Sequence, residues 1–228
     1  MLKKLKDLLF PEKCLSCGRI VRATPICMDC FDELMEAIEQ KCTVCGKSVN
    51  DCECIKLKGI KMHFIPFWYK GKTLRRAVYR LKIQNSRSNT LFFASVLNSD
   101  IRIRLGEIEP KDLFDVITYV PRSRDQKNKY GVDQSELLAK ELSILMEVPC
   151  EQLLVRVGGK QQKSLHSLAR IENVKGSFVP CPRAAEYKRV LLVDDIITTG
   201  ATVTRCTEML KMAGVKTVSV AAIAKTLF

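Results

Sequence analysis

One stretch constrains the architecture more than any other: residues 190–203, VLLVDDIITTGATV. Four aliphatic residues, Val190 to Val193, run into two acids, Asp194 and Asp195, and then into two more aliphatics, two threonines and a glycine. An apolar run of this length ended by a turn predicts a strand buried on both faces, as in a parallel sheet. Val203, Cys206, Leu210 and Ala213 then recur at helical spacing, and Gly214 stands where a helix C-terminal glycine belongs. The loop between strand and helix therefore sits at the carboxyl end of a parallel strand and at a helix N-terminus. Unpaired backbone N–H groups and the positive end of the helix dipole make that a place for a phosphate. Gly200 lets the backbone approach an anion without a Cβ in the way, and Thr198, Thr199 and Thr202 add hydroxyl donors. Asp194 and Asp195 repel phosphate but suit the hydroxyls of an attached sugar, or a Mg²⁺ ion.

The thirteen positions Val190–Thr202 resemble the phosphoribosyl pyrophosphate (PRPP) motif of type I phosphoribosyltransferases. The resemblance implies that Asp194 and Asp195 hold the ribose hydroxyls. It implies that Ile196, Ile197, Thr198, Thr199, Gly200 and Thr202 hold the 5-phosphate, with Mg²⁺ accompanying PRPP. The plain alternative is a buried strand ending in solvated acids with no ligand, since a fold does not fix a reaction.

The second strong signal is cysteine. Of the 11 cysteines, eight lie within the first 54 residues. Cys14-x-x-Cys17-Gly18 with Cys27-x-x-Cys30 forms one four-thiol set, and Cys42-x-x-Cys45-Gly46 with Cys52-x-Cys54 a second. Each CxxC turn presents two sulfurs to one ion, and four thiolates suit tetrahedral, structural Zn²⁺. An iron–sulfur cluster, redox thiols and interleaved pairing of the cysteines remain alternatives. The start of the chain lacks a secretory core, so the cysteines read as metal ligands in the cytoplasm rather than as disulfides. No run of apolar residues is long enough for a membrane span. Leu2, Leu5, Leu8 and Leu9 predict a short amphipathic helix, and Asp29–Gln40 another.

The formal net charge is +13, and it is uneven: residues 63–105 hold nine basic side chains and one acidic. Phe64–Tyr69 predicts a strand. A helix from Gly71 follows, with Leu74, Val78 and Leu81 on its buried side and Lys72, Arg75, Arg76, Arg80 and Lys82 on the others. A second helix is expected over Leu91–Leu105. A charge run is ordinarily a solvated face. Here the near absence of acids makes these five residues candidates for nucleic-acid phosphates, with Trp68 and Tyr69 either stacking on bases or packed in the core.

Asp115–Val120 predicts the next strand, and the loop Pro121–Tyr130 carries Arg122, Arg124, Lys127 and Lys129. In type I phosphoribosyltransferases the corresponding loop binds pyrophosphate, which makes Arg122, Arg124 and Lys129 the candidates here. Asp133 with Glu136 predicts a capping box. Gln152–Val155 predicts a strand. The polar stretch 156–175 predicts a lid whose Lys160, Lys163 and Arg170 close over phosphates, with Lys160 and Lys163 the catalytic candidates. Lys188–Asp195 and Lys216–Ala224 complete the predicted sheet.

Taken in order, CLSCG with CMDC, CTVCG, YKGKTLRRAVYRLK, VPRSRDQKNKYGVDQSELLAKEL, QQKSLHSLARIENVKGSF and VLLVDDIITTGATV resemble the ComF/ComFC family of bacterial competence proteins. Two elements depart from that family's pattern. Tyr130-Gly131-Val132-Asp133-Gln134 stands in place of Arg-Gly-Phe-Asn-Gln, and Lys163-Ser164 follows Gln162 in place of a small residue and glycine. The resemblance implies a double zinc-ribbon module over 1–60 and an α/β, type I phosphoribosyltransferase-like domain with a mostly parallel sheet and flanking helices over 61–228. It implies a PRPP-binding protein that handles single-stranded DNA in natural transformation, beside a helicase partner. The alternative is an active phosphoribosyltransferase that transfers ribose 5-phosphate from PRPP to a nitrogen acceptor. A zinc-tethered scaffold with a vestigial site is the third reading. The resemblance does not identify a base substrate or an oligomeric state.

Overall fold

The computed structural model describes residues 11–22, 24–38, 41–42, 45–54, 57–84, 86–122, 131–157 and 177–226. The expected helix at Leu2–Leu9 and the lid residues Lys160, Lys163 and Arg170 lie outside these residues, as do Arg124, Lys127 and Lys129.

The fold is α/β, with a mostly parallel sheet. β1 (His63–Phe64) and β2 (Phe67–Trp68) stand where one strand is expected. Both pair parallel with β7 (Thr217–Lys225), and the register never slips: His63 faces Val220, Phe64 faces Ala221, Phe67 faces Ala224 and Trp68 faces Lys225. Pro66 lies in the gap. It has no N–H for the ladder, so the edge strand is interrupted without losing direction. β6 (Arg189–Ile197) lies between β7 and β3 (Val116–Tyr119), giving the order β1-β7-β6-β3. A single helical turn, α4 (Pro110–Leu113), leads into β3. β6 continues two residues beyond the expected end, with both acids inside the strand and Asp194, Ile196 and Ile197 paired with β7.

Alternation along these strands feeds two cores. Leu191, Val193, Ala221 and Ile223 face α2 (Lys72–Gln84), α3 (Arg87–Leu105) and α5 (Gln134–Met146). Val190, Leu192, Val218, Val220 and Ala222 face α6 (Ala201–Met212). α3 begins four residues before the expected Leu91, with Asn89 and Thr90 buried in its first turn. The expected buried positions of α2 hold: Leu74, Val78 and Leu81 are buried, with Ala77 between them.

Two sequence expectations are corrected. The strand expected at Gln152–Val155 does not extend the main sheet. Only Cys150 bridges to Ile117; Thr118 Oγ1 then accepts the Leu153 N–H at 3.1 Å. The chain turns away there, and β4 (Leu154–Val157) pairs antiparallel with β5 (Ser177–Pro180) in a separate ribbon. The capping box at Asp133 does not form either. Asp133 is the N-cap of α5 but makes no side-chain cap bond, because its Oδ2 accepts the Arg122 N–H at 2.9 Å.

The cysteine-rich segment is not a separate bead. Its helix, α1 (Met28–Ile38), buries Cys30 and Leu34. Cys14, Leu15, Ile26, Cys30 and Leu34 join the core of the α2–α3 face, whereas Cys42, Val49 and Cys52 join the opposite one beside Ile65 and Trp68. The two thiol sets therefore belong to the cores on opposite faces of the sheet, at its β1–β2 edge. A segment this short buries little surface alone, and here it borrows the core of its neighbour.

Candidate functional site

The acid pair stands at the carboxyl end of β6, where β3 has already ended opposite Val193. That step leaves room for the loop after β3 to reach across. Arg122 Nη2 lies 3.0 Å from Asp195 Oδ2, and Lys82 Nζ, from the last turn of α2, lies 3.1 Å from the same oxygen. Arg122 Nε is in turn 3.9 Å from the fully buried side chain of Asp133. Ser135, in the first turn of α5, donates its hydroxyl to Asp194 Oδ1 at 3.1 Å, and the Asp195 N–H reaches the same oxygen at 2.9 Å. Gln134 Nε2 donates to the Lys82 carbonyl at 3.1 Å and ties α5 to the end of α2. Four elements thus converge on two carboxylates.

The two acids are not equivalent. Burial, and then the charge of Asp195 beside it, raise the Asp194 carboxyl to about 8, against the pull of the Asp195 N–H, the Ser135 hydroxyl and Lys82. Asp195 instead is the one held by two cations. A desolvated carboxyl beside an ion-paired one in a cleft is an arrangement typical of ligand and metal sites.

The loop that follows closes into a small cavity lined by Asp194, Ile196, Ile197, Thr198, Gly200, Thr202 and Val203. Gly200 is the N-cap of α6 with φ 77°, a left-handed conformation that a side chain would strain. Thr199 Oγ1 accepts the Ala201 N–H at 3.3 Å, while Thr198 and Thr199 are exposed. The loop is anchored from β7's end: the Thr226 N–H donates to the Ile197 carbonyl at 2.9 Å and its hydroxyl to the Thr198 carbonyl at 3.3 Å. The geometry suits a monoanionic or dianionic group at the helix start with polyol hydroxyls beside it.

The five basic residues of α2 divide. Lys72, Arg75 and Arg76 are exposed, with Arg75 5.8 Å from the centre of the Tyr69 ring. Arg80 Nη1 donates to the Cys14 carbonyl and so joins α2 to the first knuckle. Lys82 turns to Asp195. Neither of the last two lies free on a basic face. Trp68 is buried and packs in the core instead of offering a stacking surface.

Lys82, Asp133, Gln134 and Ser135 complete the surroundings of the acid pair, Thr226 anchors the loop after it, and none of the five was among the sequence candidates for this site. A signal existed for Lys82: Leu74, Val78 and Leu81 stand at i, i+4 and i+7, and Lys82 falls at i+8 on that same buried stripe. Ser135 carries no such signal, since a serine in a first helical turn is ordinary.

The cysteines assemble as the spacing predicts. Donor sulfurs of Cys14, Cys17, Cys27 and Cys30 all lie within 4.8 Å of one another, and so do those of Cys42, Cys45, Cys52 and Cys54. The two knuckles repeat one backbone pattern. The Cys14 N–H bonds the Arg19 carbonyl and the Gly18 N–H the Cys14 carbonyl; Cys42, Lys47 and Gly46 do the same. Gly18 and Gly46 take φ of 84° and 70°, which explains the glycine after each CxxC. Arg19 donates to the Cys17 and Cys27 sulfurs at 3.4 and 3.5 Å, and its guanidinium holds the Cys17 thiol down to about 6. Four soft donors at this separation fit one tetrahedral Zn²⁺ per set.

The family model described as a double zinc ribbon domain matches residues 5–56, and that described as a phosphoribosyl transferase domain matches residues 133–226. Competence protein F of Haemophilus influenzae is 28% identical over 216 residues, covering 93% of this chain and 90% of that protein. Competence protein ComFC of Streptococcus pneumoniae is 24% identical over 225 residues, covering 90% and 96%. Among solved structures, glutamine PRPP amidotransferase from B. subtilis, complexed with ADP and GMP, aligns with a TM-score of 0.41 and 24% identity, over 60% of this chain and 26% of that one. The chain therefore spans about a quarter of that enzyme's length. Purine phosphoribosyltransferase from Pyrococcus horikoshii aligns with a TM-score of 0.31 and 16% identity, over 73% and 86%. With ribbon and transferase-fold segments in the same order, the chain is similar over nearly its whole length to the ComF/ComFC competence proteins.

Proposed function

We propose that the protein binds Mg²⁺–PRPP, or a related sugar phosphate, between Asp194, Asp195 and residues 196–202. We propose further that it handles single-stranded DNA in natural transformation. The observation that carries the ligand half is the convergence of Lys82, Arg122 and Ser135 on the acid pair beside a helix N-terminus opened by Gly200. In this reading Asp194 and Asp195 take the ribose hydroxyls, Ile196–Gly200 and Thr202 the 5-phosphate, and Arg122 and Lys82 face the pyrophosphate. Mg²⁺ would supply the charge that lets Asp194 ionise. Arg124 and Lys129 remain candidates for the same pyrophosphate, as Lys160 and Lys163 do for the reaction centre.

The DNA half is supported by the competence role of the two relatives, stated in their names, and by the exposure of Lys72, Arg75 and Arg76. The structural role of both thiol sets is to hold Zn²⁺, and a chain that keeps its thiols for metal fits the cytoplasm. Among the described residues no helix is long and apolar enough to cross a membrane.

Two experiments test this. Mg²⁺–PRPP at one hundred times its dissociation constant stabilises the folded protein by about 2.7 kcal/mol, read as a rise in melting temperature; no rise at any concentration refutes the ligand half. Single-stranded DNA affinity falls steeply with salt, and Arg75→Glu/Arg76→Glu weakens it at least about tenfold while reducing the salt slope. Unchanged affinity in that variant refutes the DNA half. Arg80 and Lys82 are left out because their loss disturbs the knuckle and the acid pair. An active transferase is the second reading, supported by the Arg122 guanidinium beside the acid pair, and it requires pyrophosphate release that depends on an added nitrogen acceptor.

A further inference from the structure

Lys225 is the last residue of β7, and its side chain is entirely buried. A buried ammonium loses its hydration and persists only where something offsets that loss. Lys225 Nζ donates to the Cys52 carbonyl at 3.0 Å and lies 5.7 Å from the centre of the Trp68 ring. Cys52, whose carbonyl takes this bond, is itself a member of the second thiol set, so the buried ammonium stands against that set. A hydrogen bond and an aromatic face alone are a weak reason to bury a cation. A tetrathiolate zinc, which is a dianion, is a strong one.

The first set has a cation of its own. Arg19 reaches the sulfurs of Cys17 and Cys27 from within its knuckle. In the second knuckle Lys47 stands where Arg19 stands in the first, and it is exposed as Arg19 is. The buried cation against that knuckle comes from a residue 173 positions away in sequence from Cys52. Lys225 also sits at a junction of the sheet, paired with Trp68 on one side and with Ile197 on the other.

We propose that Lys225 is the built-in counter-ion of the second zinc site, and the positioning residue that fastens the second knuckle to the end of β7. The second site then takes its cation from the end of β7, whereas the first has Arg19 on two of its sulfurs from within its own knuckle, besides Arg80 of α2 on the Cys14 carbonyl. The proposal rests on zinc filling both thiol sets, and metal content measured beforehand tests that premise separately. Fewer than two equivalents of zinc in the untouched protein would overturn it at that step.

The experiment is release of zinc from the full-length, zinc-loaded protein to a chromogenic chelator. In Lys225→Met, one of the two equivalents is expected to leave at least tenfold faster and the other at the wild-type rate. Arg19→Met should spare the equivalent that Lys225→Met affects and hasten the other, and Lys225→Arg should keep both slow. Release of both equivalents from Lys225→Met at wild-type rates overturns the proposal. A second measurement needs no variant. Acetylation of the wild-type protein by a small amine-directed reagent, mapped by mass spectrometry, should spare Lys225 in the zinc-loaded form and modify it after chelation. Equal modification in both forms overturns the assignment.

Discussion

Asp194→Asn should make the ligand-free protein more stable, and the gain should grow with pH. The side chain's carboxyl stands at about 8 in the folded protein, raised by burial and by the neighbouring Asp195. In the unfolded chain it titrates at about 3.9. Between those two values the folded state holds a proton that the unfolded state has lost, so rising pH removes stability across that window. Asparagine has no proton to lose. It can still accept from the Ser135 hydroxyl and the Asp195 N–H through its amide oxygen. The variant should therefore match the wild type below about pH 4. Each tenfold change in an acid's dissociation constant is worth about 1.4 kcal/mol, and water reaching the pair reduces the total. The advantage of the variant should then grow to on the order of 2–3 kcal/mol by pH 9. Denaturant melts at pH 4, 7 and 9 measure this. The same variant should lose Mg²⁺–PRPP binding at least about a hundredfold, because a neutral amide neither faces a cation nor matches the acceptor pair offered to ribose hydroxyls. Gain of stability with loss of ligand is the signature of a group kept for binding at the expense of the fold. Destabilisation by Asp194→Asn at every pH would make the carboxylate structural.

The second large effect is expected from metal removal. Cys14, Cys30, Cys42 and Cys52 are buried, and their neighbours belong to both cores of the sheet. Stripping zinc leaves eight thiols without a common partner and frees the segment that covers the β1–β2 edge. Zinc binding to such sites is itself folding free energy. A loss of about 5 kcal/mol would lower the melting temperature of a chain this size by roughly 10–20 °C. Because β2 pairs directly with β7, the loss should reach the sheet instead of stopping at the ribbons. Calorimetry of the zinc-loaded and chelated protein is the check. A chelated protein that melts at the zinc-loaded temperature would mean that the ribbons contribute nothing to the domain they pack on.

Local patterns in this chain were legible where one periodicity ruled. The run Val190–Val193 required a doubly buried strand, and the stripe of Leu74, Val78 and Leu81 required a helix with one buried side. The cysteine spacing pointed to two four-thiol sets in sequential order with interleaved pairing left open, and the sulfurs gather in the sequential order. What the patterns did not carry was partnership across long separations. Lys82 and Arg80 read as members of a basic face, yet one serves an acid more than one hundred positions away and the other a carbonyl in the first knuckle. The same limit hid Ser135 and Thr226, whose roles exist only once strands align. Pro66 lies inside the single strand expected at Phe64–Tyr69, and its missing N–H divides that strand in two without a register change. The acid pair itself was found as two like residues, while its asymmetry, one carboxyl desolvated and one clamped by two cations, belongs to the packing of four elements.

The most direct test of the sugar-phosphate site is calorimetric titration of the zinc-loaded protein with PRPP and Mg²⁺, beside an Asp194→Asn/Asp195→Asn variant, in two buffers of different ionisation enthalpy. Micromolar binding is expected for the wild type and none for the variant. The heats in the two buffers should differ, because a cation near Asp194 lowers its pKa and drives its proton into solution on binding. Absence of binding by the wild type, or equal binding by the variant, would contradict the account.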